Sequence, residues 1–156
     1  IMRYLCRSFP GGDKLYPKDL QAAARIDMVC DWRQTSMYNC IPAIGYGIFN
    51  MEQSDEEAQK QFKNLIDEHF KTLTEVFLKD NKFCYSDTPT IADLAIAPSL
   101  TFIKARSKFW DAVPQEVKDY HARVLGSFPH TKENFDMLDT MCTEYSGDGA
   151  DLSPLE

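Results

Sequence analysis

Apolar residues along this chain of 156 residues recur every three or four positions rather than at alternate ones, the signature of amphipathic helices. Ile26, Val29, Cys30, Met37, Cys40, Ile41, Ile44 and Ile48 keep one face, which predicts a long first helix over 18–49. Pro42, with Gly45 and Gly47 close by, predicts a bend in it, because a prolyl ring removes a backbone donor and crowds the preceding turn. Ser54-Asp55-Glu56-Glu57 opens a second long helix: Ser54 can cap it and the acids favour its positive end. Its stripe is Phe62, Leu65, Ile66, Phe70, Leu73, Val76 and Phe77, and it stops near Asp80-Asn81-Lys82. A loop from Phe83 to Pro89 leads to a third helix over about 90–108, with Pro98 inside it; two shorter helices follow, over about 113–126 and 131–144. Residues 1–8 read as the last turns of a helix ended by Phe9-Pro10-Gly11-Gly12-Asp13. Residues 146–156 read as a flexible acidic tail. With no strand pattern, internal repeat or low-complexity segment, the fold class is all-α: a bundle of about five helices after a helical stub.

Composition narrows the function classes. Hydrophobic residues make up 44% of the chain, with ten Phe, seven Tyr and two Trp, enough for a true core. The net charge of −7 argues against nucleic acid and anionic membrane surfaces, which call for basic patches. No apolar run approaches the roughly 18 residues needed to span a bilayer, and no signal peptide is visible. The cysteines, Cys6, Cys30, Cys40, Cys84 and Cys142, are odd in number and lack C-x-x-C spacing, so neither a disulfide framework nor a zinc site is expected. Cys30 and Cys40 lie on the apolar stripe and read as small core residues. His69, His121 and His130 show no ligand spacing, and His69 falls within a helical apolar pattern, where packing is the expectation.

The third helix begins with Thr90-Ile91-Ala92-Asp93, a capping box: the Thr90 hydroxyl can accept from the Asp93 N–H, and the Asp93 carboxylate from the Thr90 N–H. Taken alone, such a box marks only a helix start. Its surroundings make it specific: Leu15-Tyr16-Pro17-Lys18-Asp19-Leu20-Gln21-Ala22, then Arg25-Ile26-Asp27, then Trp32. Together these segments resemble the C-terminal helical domain of a cytosolic glutathione transferase, nearest to the theta class. Met2-Arg3-Tyr4-Leu5 resembles the last helix of that family's thioredoxin-like domain. The resemblance therefore divides the chain into the end of that domain and a linker (1–14), the helical domain (15–145) and the tail (146–156).

The resemblance implies that the thiol-activating Ser, Tyr or Cys and most of the glutathione site lie in a thioredoxin-like domain upstream of Ile1, so no catalytic residue is expected within 1–156, and no metal. It implies glutathione as co-substrate, a small electrophile as its partner, and a role in detoxification. The substrate-binding wall that carries over is Thr35, Tyr38, Ile41, Pro42, Gly45 and Tyr46. Thr35 stands where several classes place an Asp that reaches the partner subunit's glutathione. Tyr38 stands where some theta enzymes have a basic residue. Ser86 replaces the family's Gly before the box, and Pro89 sits at the hydrophobic-staple position opposite Leu94. Thr90 and Asp93 carry over as a structural cap.

Two function classes remain open. One is the electrophile-binding half of a glutathione transferase, inactive as the isolated chain. The other is a non-catalytic scaffold or interaction subunit of a larger complex, which the loss of charge at positions 35 and 38 favours. Both imply a homodimer or a docked assembly, with no nucleic acid and no membrane insertion. The location implied is cytoplasmic, or an organelle if a targeting segment precedes Ile1.

Overall fold

A computed structural model describes residues 1–46, 55–104 and 106–145. Helix α1, Met2–Ser8, is followed by Gly11 in the left-handed region at φ 82°, which glycine enters without a Cβ clash. Gly12 then passes so close to α1 that a Cβ there would lie 2.2 Å from the Cys6 carbonyl oxygen. Helix α2, Leu20–Trp32, is capped by Asp19, whose carboxylate accepts from the Ala22 N–H at 2.8 Å. It starts at Leu20 rather than at 18 because the capping residue itself holds an extended backbone, φ −61° and ψ 126°.

The long first helix is not uniform. After α2 comes a widened π-helical turn, Arg33–Met37, and then α3, Tyr38–Tyr46, with Pro42 inside it. The wide turn lies just upstream of Pro42, where a prolyl ring crowds the carbonyl four residues back. Ile26, Val29, Met37, Cys40 and Ile41 are buried, and Cys30 is partly so. The Ile44 side chain, Gly47, Ile48 and the Ser54 cap lie outside the described residues. The second long helix comprises α4, Asp55–Asn64, and two π-helical stretches, Leu65–Phe70 and Leu73–Leu78. Phe62, Leu65, Phe70, Leu73 and Phe77 are in the core, but Val76 is 49% exposed and Leu78 is buried instead. The wide turns explain this: their residues bond five positions apart, so Leu65 and Phe70, or Leu73 and Leu78, share a face.

Helix α5, Ile91–Lys104, is the axis of the bundle and packs against α2, α3, α6, α7 and α8. It is buried almost all round, through Ile91, Ala92, Ile96, Ala97, Leu100 and Ile103, as expected of a helix apolar on every side. It stops at Lys104, not near 108. Arg106 adopts an extended backbone, φ −101° and ψ 92°, and a separate short helix α6, Ser107–Ala112, follows. There Phe109 stacks on Phe62 with centroids 4.3 Å apart. Helices α7, Gln115–Ser127, and α8, Lys132–Tyr145, complete the bundle. Among the described residues there is no strand, only an isolated bridge between Phe83 and Ser86. No described helix is long and apolar enough to cross a membrane.

The start of α5 is tied to three distant segments. Asp93 is fully buried. Its Oδ2 accepts from the Thr90 N–H at 2.7 Å and from the Thr90 hydroxyl at 3.0 Å. Its Oδ1 accepts from the Cys84 N–H at 2.9 Å and from the Tyr120 hydroxyl of α7 at 2.8 Å. The Ile91 N–H donates to the Leu15 carbonyl at 3.1 Å, which fastens the linker to the same point. One half of the box differs from expectation: the Thr90 oxygen accepts from the Ala92 N–H at 3.2 Å, not from that of Asp93. Donating its own proton to the Asp93 carboxylate turns the hydroxyl's lone pairs toward the nearer amide.

Two predictions follow from this packing. Asp93→Ala strands the Cys84 amide and the Tyr120 hydroxyl in the core and removes the cap, so unfolding free energy should fall by roughly 2–5 kcal/mol in chemical denaturation. An unchanged denaturation midpoint would contradict the role given to Asp93. The second concerns His121, buried in α7 with Nε2 3.1 Å from the Thr101 hydroxyl and its ring edge-on to Trp110. Burial first, then the Lys104 charge, lowers its pKa from the ordinary 6.5 to about 4. The unfolded chain therefore takes up this proton first as pH falls. Stability present above 6.5 is lost toward about 4, at up to ~1.4 kcal/mol per pH unit. His121→Asn should flatten that part of the stability–pH curve relative to the wild type; parallel curves would rule the role out.

Candidate functional site

The residues expected to form a ligand wall lie along the π-helical turn and α3, and the fold treats them unequally. Ile41 is buried at 5% exposure and belongs to the core, while Pro42 is half-buried. Thr35 is exposed, and its hydroxyl donates to the Asp31 carbonyl one turn back at 2.7 Å, which leaves it turned to its own helix. Tyr38 is 40% exposed, with the Arg33 guanidinium over its ring at 4.7 Å. Gly45 and Tyr46 continue the helical backbone of α3; the Tyr46 side chain lies outside the described residues. The described set thus leaves Thr35 and Tyr38 exposed and Pro42 half-buried, while Ile41, like the neighbouring Met37, belongs to the core.

Arg33 is the residue that sequence patterning overlooks here. Its Nη2 donates to the Ser99 hydroxyl of α5 at 2.9 Å and its Nη1 to the Gln34 side-chain oxygen at 3.0 Å. The only signal along the chain was an arginine one turn before Tyr38 on a helix whose other face is apolar.

None of the thiols with described side chains is set up as a nucleophile. Burial raises the pKa of Cys6, Cys30, Cys40 and Cys84, the reverse of activation. The buried Cys84 thiol lies 3.5 Å from the Tyr120 hydroxyl, and burial pushes the phenol up as well. His69, nearly buried, sets its ring edge-on to Trp32 at 6.0 Å. Among the described residues no group of three or more His, Cys, Asp or Glu is placed to hold a metal ion. A separate cleft of about 150 Å³ lies between the linker, the start of α2 and the loop before α5. Lys14, Arg25, Tyr85 and Thr88 are among its lining, and of the expected residues it includes only the cap Thr90.

Comparison with known proteins places this geometry. Residues 56–123 match the family described as Glutathione S-transferase, C-terminal domain. The chain is 30% identical over 105 residues to glutathione S-transferase theta-1 of Mus musculus, covering 64% of this chain and 44% of that one. It is 26% identical over 121 residues to theta-3 of the same species, covering 74% and 50%. It is 32% identical over 113 residues to glutathione S-transferase T1 of Arabidopsis thaliana, covering 64% and 44%. The chain therefore spans about half the length, or less, of these curated relatives. No solved structure matches it. Residues 56–123 thus match the glutathione S-transferase C-terminal domain, and the chain is theta-like in sequence.

Proposed function

We propose that this domain is the electrophile-binding half of a glutathione transferase, in which glutathione thiolate attacks a small electrophile held against the π-helical turn and α3. The observation that carries the reading is the theta-like match, combined with an exposed tyrosine, Tyr38, on a helical stretch whose Met37 and Ile41 are buried. Its share of catalysis is to position the electrophile; thiol activation belongs to a thioredoxin-like domain preceding residue 1. Support for such a domain comes from the greater length of the relatives and from Tyr4 and Leu5 on α1 and Phe9 just after it, all exposed. A cytoplasmic location and a part in detoxification belong to the same reading. A second reading, a non-catalytic interaction module, draws on Thr35, which carries no charge and whose hydroxyl is already engaged.

The two readings differ in what they predict for Tyr38. If the wall binds electrophiles, an aryl halide should bind the protein, and Tyr38→Ala should weaken it roughly threefold to tenfold through the lost ring contact. The 156-residue chain alone should give no conjugation above the uncatalysed rate. No aryl-halide binding would favour the interaction module, and turnover by the chain alone would overturn the division of labour proposed here. Self-association is expected under either reading, since an open apolar patch usually marks an interface. Sedimentation at micromolar concentration should show a dimer or a heavier complex, and a stable monomer would remove that expectation.

A further inference from the structure

Arg33 is an anomaly for a helix that packs against a core. Its guanidinium is half-buried, and its Nε is shut off from solvent with no hydrogen-bond partner. Among the described residues no carboxylate pairs with it; its partners are two neutral oxygens, from Ser99 and Gln34, and the Tyr38 ring. Arg3, on α1, is treated otherwise: it bonds both Asp27 and Asp31. An arginine stays charged at neutral pH even where burial, as here, lowers its pKa. A partly desolvated cation without a counterion carries an uncompensated cost, which an arriving anion removes.

The surroundings say where that anion would sit. Ser99 is 1% exposed and fixes one arm of the fork from α5. The other arm holds only the amide oxygen of Gln34, an exposed side chain one residue away, 3.0 Å from Nη1. That neutral oxygen occupies a position suited to a carboxylate or sulfonate oxygen, and a ligand can displace it by rotating an exposed glutamine. The Tyr38 ring lies alongside, where an apolar ligand body would follow its charged end.

We propose that Arg33, set by Ser99 and flanked by Tyr38, is a recognition site for small apolar molecules bearing a carboxylate or sulfonate. This rests on the reading of Tyr38 as part of the electrophile wall and names the class of electrophile it selects. Selection arises because a charge-assisted, forked pair is stronger than a neutral hydrogen bond.

The test compares para-nitrobenzoate with its neutral isostere para-nitrobenzamide and with inorganic sulfate, each titrated calorimetrically into wild type, Arg33→Gln and Arg33→Lys. In the wild type the benzoate should bind about tenfold or more tighter than the amide. Arg33→Gln should abolish that preference, and Arg33→Lys should keep part of it. Equal wild-type affinities, or a preference that survives Arg33→Gln, would overturn the anion site while leaving the electrophile wall standing. Arg33-dependent binding of sulfate alone, with neither aryl compound bound, would keep the anion site and overturn the wall. Binding of none of the three would overturn both. If Arg33→Gln fails to fold, Arg33→Lys decides the matter: a benzoate preference identical to that of the wild type would overturn the Arg33 site, and a reduced one would support it.

Discussion

A single buried carboxylate organises this domain. Asp93 accepts four hydrogen bonds, from Thr90 twice, from Cys84 and from Tyr120, and each comes from a group that would otherwise be an unsatisfied donor in the core. The loop before α5, the first turn of α5 and the middle of α7 are held at one point, and the linker joins them through Leu15. Burying a charge is unfavourable unless it is fully paired, so such a point tolerates little displacement. The strand-like turn at Phe83–Ser86, with Tyr85 at φ 55°, is the backbone shape that delivers the Cys84 amide to it.

From that anchor the rest follows by packing. With its N-terminus fixed, α5 runs down the middle of the bundle and offers one side to α2 and α3 and another to α7 and α8. The side facing α2 and α3 carries Ser99, which receives Arg33 across the interface. The wide turn Arg33–Met37 sets the rotation of α3, so that Met37 and Ile41 point inward while Tyr38 remains at the surface. The Asp93 anchor and Ser99, the contact to Arg33, thus share α5 but stand on different parts of it. A rigid scaffold carrying a site on its regular elements positions a ligand better than a loop would.

The fold class, the order of the long helices and the cap at Thr90 and Asp93 were legible because each depends on residues near in sequence. What stayed hidden depended on distance or on irregular helix geometry. Asp93's partners Cys84 and Tyr120 lie 9 and 27 residues away, and no local pattern announces them. Arg33 reads as an ordinary solvated cation until the fold brings Ser99, 66 residues on, against it. Val76 was placed inward because a 3.6-residue period was applied to a stretch with wider turns, and there Leu78 takes the inner position. The break between α5 and α6 was missed because the stretch from Lys104 to Lys108 contains no proline or glycine to mark a helix end. Of the expected wall, Tyr38 and Pro42 reach the surface; Ile41 serves the core, and Thr35 bonds to its own helix.

On the proposed reading, ligands meet the Arg33–Tyr38 face while the Asp93 anchor stays still. Backbone chemical-shift mapping during titration with para-nitrobenzoate tests it most directly. Shifts should concentrate at Arg33, Gln34, Tyr38 and Ser99, with the amides of Cys84 and Thr90 unmoved and slow to exchange with solvent. Shifts concentrated instead at Lys14, Arg25 and Tyr85 around the linker cleft, or at Cys84 and Thr90 themselves, would contradict it.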